Sequence, residues 1–183
     1  MTRKYKRIAR EDFDAKLNAA SEIDWCRLAT YIDAEGSIVI ERAEPQKKFR
    51  QSSPVYALRV SISNTSIRII DYLTRTFISG VYDCGMEHNL LGTKQGMQWV
   101  VQSDRACAIL QRCIPYLIEK REQAENALAF QRIKQLGSRG HKVSAFHLQL
   151  RDRCYRKMRV LNGAYDREKF DREEKEKISA TVQ

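Results

Sequence analysis

The stretch Leu28-Ala-Thr-Tyr-Ile-Asp-Ala-Glu-Gly36 decides how this chain folds, because it joins a helical pattern to a strand pattern within a few residues. Trp25, Leu28 and Ile32 recur at the i, i+3, i+7 spacing that places side chains on one buried face of a helix. We expect Gly36 to end that helix in a left-handed conformation, which glycine adopts without strain. The apolar, β-branched residues 37–40 follow at once and predict a strand.

Two carboxylates, Asp33 and Glu35, fall in the last turn of this predicted helix. The last turn leaves backbone carbonyl oxygens unpaired and carries the negative pole of the helix dipole, so anions are disfavoured there. A hard divalent cation would bind both the carboxylates and the carbonyl oxygens. The pattern therefore indicates a cation site at this helix end. The alternative is an ordinary amphipathic helix that leads into a strand.

The composition is that of a globular and strongly basic protein. The chain has 183 residues, of which 43% are hydrophobic and 31% are charged, enough for one domain with a core. Its net charge of +10 favours a nucleic-acid partner, and a basic soluble protein without one is the alternative. We expect no membrane span and no secretory signal, because no apolar run of the required length occurs. The five scattered cysteines should be reduced, so we predict a cytoplasmic or organellar protein that is not secreted.

Hydrophobic periodicity and turn residues predict the order of helices and strands. Strands are expected at 37–43, 54–63, 81–88 and 96–102, and helices at 21–35, 66–78, 103–110, 119–136 and 143–162. Ser21 is the predicted N-cap of the first helix, and the stripe of the second is Ile67, Ile70, Leu73 and Phe77. Neighbouring strands pair as antiparallel hairpins, so the predicted class is α+β, with helices on one face of a four-stranded sheet. We divide the chain into a mobile basic arm with a short helix (1–20), a central domain (21–163) and a charged tail (164–183).

The predicted strands alternate, which separates a core face from an open face. The inward set is Ile38, Ile40, Tyr56, Leu58, Val60, Ile62, Trp99 and Val101. The open face and its hairpin suit a β-ribbon in the major groove of DNA, with contacts from Glu41, Arg42, Lys47, Lys48, Arg50, Arg59, Ser61, Ser63 and Gln98. Arg59 should read a base, and the hairpin residues should mainly meet phosphates. The alternation alone favours the other interpretation, a solvated sheet face.

The nonapeptide resembles the signature of the LAGLIDADG homing endonucleases. It is identical at six positions, Leu28, Ala29, Ile32, Asp33, Ala34 and Gly36, and Glu35 replaces the second Asp of the signature by the other carboxylate. The resemblance extends over about 22–163 and ends in Leu161-Asn162. It implies the α-β-β-α-β-β-α fold of that family, with a saddle-shaped antiparallel sheet and additional C-terminal helices.

The resemblance also implies further site residues. Asn64 and Arg68 match a Gln and an Arg of the family that order solvent at the active site, and the alternative for Asn64 is a helix N-cap. Lys120 matches the family's basic residue in the segment that begins at Ile114-Pro115. The alternative for Lys120 is a side chain that extends to water, with Arg121 as the neighbour that could replace it.

By this resemblance, one copy of the signature implies a homodimer that packs helix against helix through Leu28, Ala29, Thr30, Ile32 and Asp33. The small residues Ala29 and Thr30 would allow close approach, and Asp33 would be structural. Two related half-sites imply a nearly palindromic double-stranded DNA target. Glu35 and the Ala34 carbonyl would bind Mg²⁺ for phosphodiester hydrolysis, with Lys120 and Arg68 stabilising the developing charge.

Two alternatives of the same fold remain open at the level of sequence. One is a DNA-binding protein that does not cleave, although such a protein would be expected to lack the acidic residue that Glu35 supplies. The other is an intron maturase, whose partner would be intron RNA. A single chain could also combine cleavage with maturation.

Overall fold

The computed structural model describes residues 9–45, 53–77, 80–83, 96–136 and 143–182. The helices are α1 (Arg10–Ala19), α2 (Glu22–Glu35), α3 (Ile67–Phe77), α4 (Ser103–Cys113), α5 (Arg121–Leu136), α6 (Ala145–Leu161) and α7 (Arg167–Val182). The strands are β1 (Gly36–Ala43), β2 (Val55–Asn64), β3 (Gly80–Asp83) and β4 (Met97–Gln102). A 3-10 turn, Ile114–Tyr116, follows α4 directly.

The four strands form one sheet in the order β1-β2-β4-β3. Strand β4 pairs antiparallel with both β2 and β3, and Trp99 lies opposite Ile62 on one side and Val81 on the other. The predicted α+β class with a four-stranded sheet is confirmed. Of the strand predicted at 81–88, residues 84–88 lie outside the described part of the chain.

Burial on the core face follows the predicted alternation. All of the predicted inward side chains are at most 4% exposed. In α3, Ile70, Leu73 and Phe77 are buried as predicted, but Ile67 is 60% exposed. Ile67 is the first residue of the helix, so its side chain lies beyond the packed stripe.

Two compact units are distinguished along the chain. The first comprises residues 1–38 and 59–120, and the second comprises residues 39–58 and 121–183. In the first unit, α2 packs against α4 and the 3-10 turn, and α3 packs against α1 and β4. The rings of Trp25 and Phe77 contact each other with centroids 4.9 Å apart. In the second unit, α6 packs against both α5 and α7.

The predicted basic arm contains a helix that belongs to the core of the first unit. Phe13 and Leu17 of α1 are each 2% exposed. Lys16 Nζ donates a hydrogen bond to the carbonyl oxygen of Arg75 at 3.2 Å, so α1 is also tied to α3 by a polar contact. The short helix of the prediction is thus present, and it is packed. The most basic part of the arm, residues 1–8, lies outside the described residues.

The predicted charged tail forms helix α7, which is joined to α6 by ion pairs. Arg156 donates to Glu173 at 3.0 Å and to Glu174 at 2.7 Å. Arg153 makes a second ion pair with Glu174 at 2.7 Å. Phe170 is 9% exposed and lies beneath the Arg156 guanidinium. These contacts make residues 167–176 part of the second unit.

Helix α2 begins as predicted and ends differently. The Ser21 hydroxyl accepts from the Asp24 backbone N–H at 3.3 Å, and the Asp24 carboxylate accepts from the Ser21 N–H at 3.0 Å, which completes a capping box. Gly36 has φ −79° and ψ 162°, so the predicted left-handed conformation is wrong. The chain enters β1 directly and is already extended at this residue. A Cβ on Gly36 would lie 2.6 Å from Ile32 Cα, so glycine is required by close backbone approach.

The cysteines that the structure describes, Cys26, Cys107, Cys113 and Cys154, are all reduced thiols, as predicted. Burial raises the pKa of the Cys113 thiol to about 12. Cys84 lies outside the described residues. Within the described ranges, the helices are too short or too polar to cross a membrane.

Candidate active site

The last residue of α2 and the last residue of β2 meet at their side chains. Glu35 is exposed at the helix end, and Asn64 Nδ2 donates a short hydrogen bond to its Oε2. Asn64 Oδ1 in turn accepts from the Ser66 backbone N–H at 2.7 Å, just before α3. The two interpretations of Asn64 are therefore compatible. Its amide supports the turn into α3 and at the same time orients the Glu35 carboxylate.

A reciprocal pair of contacts, from Asp33 and Lys120, fixes the end of α2. The Asp33 carboxylate accepts from the backbone N–H of Ile118 at 2.8 Å and of Lys120 at 2.9 Å. Lys120 Nζ donates to the carbonyl oxygens of Ile32 at 2.7 Å and Asp33 at 2.6 Å. Burial lowers the pKa of Lys120, and the nearby Asp33 carboxylate opposes that shift. Each residue thus holds the backbone of the segment that carries the other.

This pair corrects two expectations about the helix end. The carbonyl oxygens of Ile32 and Asp33 are not available to a metal ion, because the Lys120 ammonium already neutralises them. Lys120 itself lies just before α5 rather than in its first turn. The cation that helix ends usually carry is present, but it comes from a residue 87 positions after Asp33. Only the conspicuous Lys before the predicted helix gave a sequence signal for this contact.

Arg68 and Ala34 are both exposed. Arg68 lies in the first turn of α3, and within the described part of the chain it makes no hydrogen bond or ion pair. Ala34 precedes Glu35 directly, so a carbonyl oxygen and a carboxylate are adjacent along the backbone. Oxygen donors of this kind suit Mg²⁺.

The described residues contain no group of three or more His, Cys, Asp or Glu side chains that could hold a metal ion. Glu35 and the Ala34 carbonyl supply two oxygens, whereas Mg²⁺ takes six ligands in an octahedral arrangement. The donors fit the ion in type but are too few in number. A complete site would need waters, substrate phosphates or a second copy of the chain.

The burial of α2 changes the predicted dimer contacts. Leu28, Ala29 and Ile32 are 0% exposed within a single chain, so they cannot contact a second copy. They face the core because their spacing forms the inward stripe of the helix. Thr30 is exposed, and its hydroxyl donates to the Cys26 carbonyl at 2.9 Å.

The outward face of α2 is defined by a shallow depression. Its lining residues are Glu22, Ile23, Cys26, Arg27, Thr30 and Tyr31. Ile23 is 63% exposed, which is unusual for a large apolar side chain. The Thr30 hydroxyl is already satisfied within the helix, so this residue presents mainly its methyl group. The face is therefore partly apolar and carries small residues.

A chain of hydrogen bonds crosses the open face of the sheet. Arg59 Nη2 donates to Gln98 Oε1 at 2.5 Å, and Gln98 Nε2 donates to Ser63 Oγ at 3.0 Å. Ser61 and Val100 lie opposite each other between these groups and are 5% and 2% exposed. Ser61 was predicted to contact DNA, but it is covered. Arg59, Ser63 and Gln98 remain at least partly exposed.

The remaining predicted DNA contacts belong to the second unit. Glu41 is exposed. Arg42 Nε donates to the Tyr56 hydroxyl at 3.3 Å, and its Nη1 contacts Glu44 at 2.5 Å. The hydrogen bond from Tyr56, and then the Glu44 carboxylate, raise the pKa of Arg42. Lys47, Lys48 and Arg50 lie outside the described residues.

No protein-family model matches this sequence, and no curated protein matches it. Solved structures do match. The archaeal intron-encoded homing endonuclease I-Vdi141I, complexed with DNA, aligns over 80% of this chain and 86% of its own, with 12% identity and a TM-score of 0.60. The homing endonuclease I-TnaI aligns over 83% and 96%, with 11% identity and a TM-score of 0.55. The LAGLIDADG homing endonuclease I-GzeII, in complex with its DNA target, aligns over 74% of this chain but 44% of its own, with 16% identity and a TM-score of 0.56.

Proposed function

Because this chain has the fold of the LAGLIDADG homing endonucleases, we propose that it is a site-specific DNA endonuclease that requires a divalent metal. The observation that carries the proposal is the exposed Glu35 carboxylate at the end of α2, held by Asn64. A carboxylate at the negative pole of a helix is unfavourable by itself, and a bound cation accounts for it.

The residues of the site have distinct tasks in this reaction. Glu35 and the Ala34 carbonyl would hold Mg²⁺, which when bound supplies Lewis-acid activation of a phosphate and of water. Asn64 keeps one oxygen of Glu35 in a fixed direction. Lys120 uses two of its three N–H donors on the helix end, which leaves one for a phosphate oxygen or a water. The exposed Arg68 guanidinium is available to negative charge that develops on the phosphate.

The proposed assembly is a homodimer on a nearly palindromic site. One chain supplies one Glu35, and a second copy related by a two-fold axis would supply another for the other DNA strand. The interface we propose is the outward face of α2, centred on Ile23 and Thr30, instead of the buried stripe. Asp33 keeps a structural role within the chain through the N–H groups of Ile118 and Lys120.

A cleavage assay tests this function. The substrate is a supercoiled plasmid that carries the uninterrupted sequence flanking the gene, incubated with the protein in Mg²⁺, in Ca²⁺ or in EDTA. We expect linear product with Mg²⁺ and bound, uncut DNA with Ca²⁺. Specific binding without cleavage in any metal would instead support a DNA-binding protein. Stimulated splicing of the host intron, without DNA cleavage, would support a maturase that binds RNA.

A further inference from the structure

Arg59 and Gln98 are bonded across the sheet although they are not register partners. The residue opposite Arg59 on β4 is Gln102, and the residue opposite Gln98 on β2 is Ser63. Arg59 nevertheless donates to Gln98 Oε1 at 2.5 Å. Its side chain therefore runs along the sheet past one intervening pair, Ser61 and Val100, and covers them.

The hydrogen bonds of Gln98 leave it poorly suited to read a base by itself. A glutamine that recognises adenine presents its amide oxygen and nitrogen together to the base edge. Here the amide oxygen of Gln98 accepts from Arg59, and its nitrogen donates to Ser63 at 3.0 Å. Arg59 differs, because a guanidinium has five N–H donors and only one is used in the Gln98 contact.

We propose that Gln98 is a positioning residue that orients the Arg59 guanidinium for recognition of one base pair, most simply a guanine. This inference rests on the proposed DNA-binding function and specifies how part of it is achieved. Ser63 fixes the orientation of the Gln98 amide, so the three side chains act as one recognition unit. Base preference at that position is then a property of the unit and not of Arg59 alone.

The first test is a base-preference profile for wild type, Arg59→Ala, Gln98→Ala and the double variant. We expect Gln98→Ala to relax the same position as Arg59→Ala, each by about 5- to 150-fold, the worth of one bidentate contact. The double variant should add little to either change. Gln98→Glu should keep the preference, because it retains the acceptor. Gln102→Ala, the matched loss of a glutamine opposite Arg59, should leave the profile unchanged. Relaxation by Gln98→Ala at a different position, or additive effects, would overturn the proposal.

The second test needs no DNA, so it separates this inference from the proposed function. Side-chain ¹⁵N NMR of the free protein should show restricted rotation of the Arg59 guanidinium in wild type and in Gln102→Ala. That restriction should be lost in Gln98→Ala. A mobile Arg59 in wild type would overturn the inference even if the protein binds its site. Restricted rotation together with no specific DNA binding would refute the proposed function and leave the Gln98 contact established.

Discussion

At the scale of single residues, the end of α2 carries two opposite charges with separate tasks. Lys120 neutralises the carbonyl oxygens of Ile32 and Asp33 and so stabilises the helix terminus. Glu35 makes its described contact with an amide, and its carboxylate stays exposed. The division leaves Glu35 as the group that can attract a metal, while the backbone around it is fixed without one.

The first prediction concerns Glu35→Gln. The amide keeps the shape and an acceptor for Asn64 but removes the charge that would bind Mg²⁺. We expect cleavage to fall by at least about 100-fold, since a catalytic metal supplies several kcal/mol. Specific binding, measured by gel shift in Ca²⁺, should change by less than about threefold. Glu11→Gln, an exposed glutamate on α1, is the control, and full cleavage by Glu35→Gln would contradict the assignment.

The second prediction concerns Lys120→Met, which keeps the length of the side chain but removes the ammonium. Two half-buried carbonyl oxygens would lose a charged partner, so we expect a loss of about 1–3 kcal/mol in the free energy of unfolding. Urea unfolding measures it, with the exposed Lys157→Met as control. Equal stability of the two variants would show that Lys120 does not support the helix end.

At the scale of elements, the sequence predicts local features well and long-range contacts poorly. The N-cap Ser21, the buried stripe of α2 and the alternation of β2 depend on neighbours within a few residues, and all three are confirmed. The Lys120 contact depends on tertiary folding over 88 positions from Ile32, so no local pattern specifies it. Ser61 is covered because Arg59 crosses the strand, which depends on side-chain orientation and not on alternation.

Gly36 gives the third prediction, because its role lies in the junction between α2 and β1. Its extended φ of −79° suits any residue, so the cost of Gly36→Ala is steric overlap with Ile32, about 1–3 kcal/mol. Gly36→Asn should cost at least as much. Gly163 is the contrasting control, with φ +68° and open space around it.

At Gly163 alanine should destabilise by about 1 kcal/mol, and asparagine should recover part of that loss, because asparagine tolerates the left-handed region. Thermal unfolding of the four variants measures the pattern. An asparagine that recovers stability at Gly36 would show that backbone conformation, not close approach, selects glycine there.

The fourth prediction is a pH dependence that arises in the core of the first unit. Cys113 is 0% exposed, and burial raises its folded-state pKa to about 12 from an ordinary value of 9.0. Between these values the unfolded chain loses the proton and the folded chain keeps it, so stability is intact below about pH 9 and falls above it. The slope approaches about 1.4 kcal/mol per pH unit.

Denaturant unfolding at pH 8, 9 and 10 should show this decline in wild type and a shallower one in Cys113→Ala. Cys26→Ala is the control, because Cys26 is only partly buried. The two variants are compared by their slopes rather than their absolute stabilities, since Cys113→Ala also leaves a small cavity. Parallel slopes in wild type and Cys113→Ala would contradict the assignment.

At the scale of the whole molecule, the resemblance in sequence and the fold agree, but the surface for assembly had to be revised. The stripe that includes Ala29 is consumed by the chain's own core. Sequence periodicity identifies a buried face without saying what covers it, so a core stripe and an interface stripe cannot be distinguished in advance. The exposed residues Ile23 and Thr30 were visible in the sequence, but only Thr30 was predicted at the interface.

The fifth prediction follows from this revision. Thr30→Arg should place a charge in the proposed interface and prevent dimerisation, while Ala29→Leu should reduce the stability of the single chain by overpacking. Sedimentation should give a wild-type dimer of about 43 kDa, twice the 21.3 kDa chain, and a monomer for Thr30→Arg. Thr65→Arg, also exposed, is the matched control. A wild-type protein that stays monomeric both free and on DNA would refute the assembly.

Strand β2 ends with Ser63 and Asn64 side by side, the first bonded to the recognition unit and the second to Glu35. For a nuclease of the proposed kind, this adjacency constrains retargeting to new DNA sequences. A substitution chosen to change base preference near Ser63 shifts the backbone that carries Asn64, so variants selected for binding alone would often bind without cutting. Laboratory evolution of this scaffold should therefore select for cleavage from the first round and vary the recognition residues from Arg59 toward Asn64.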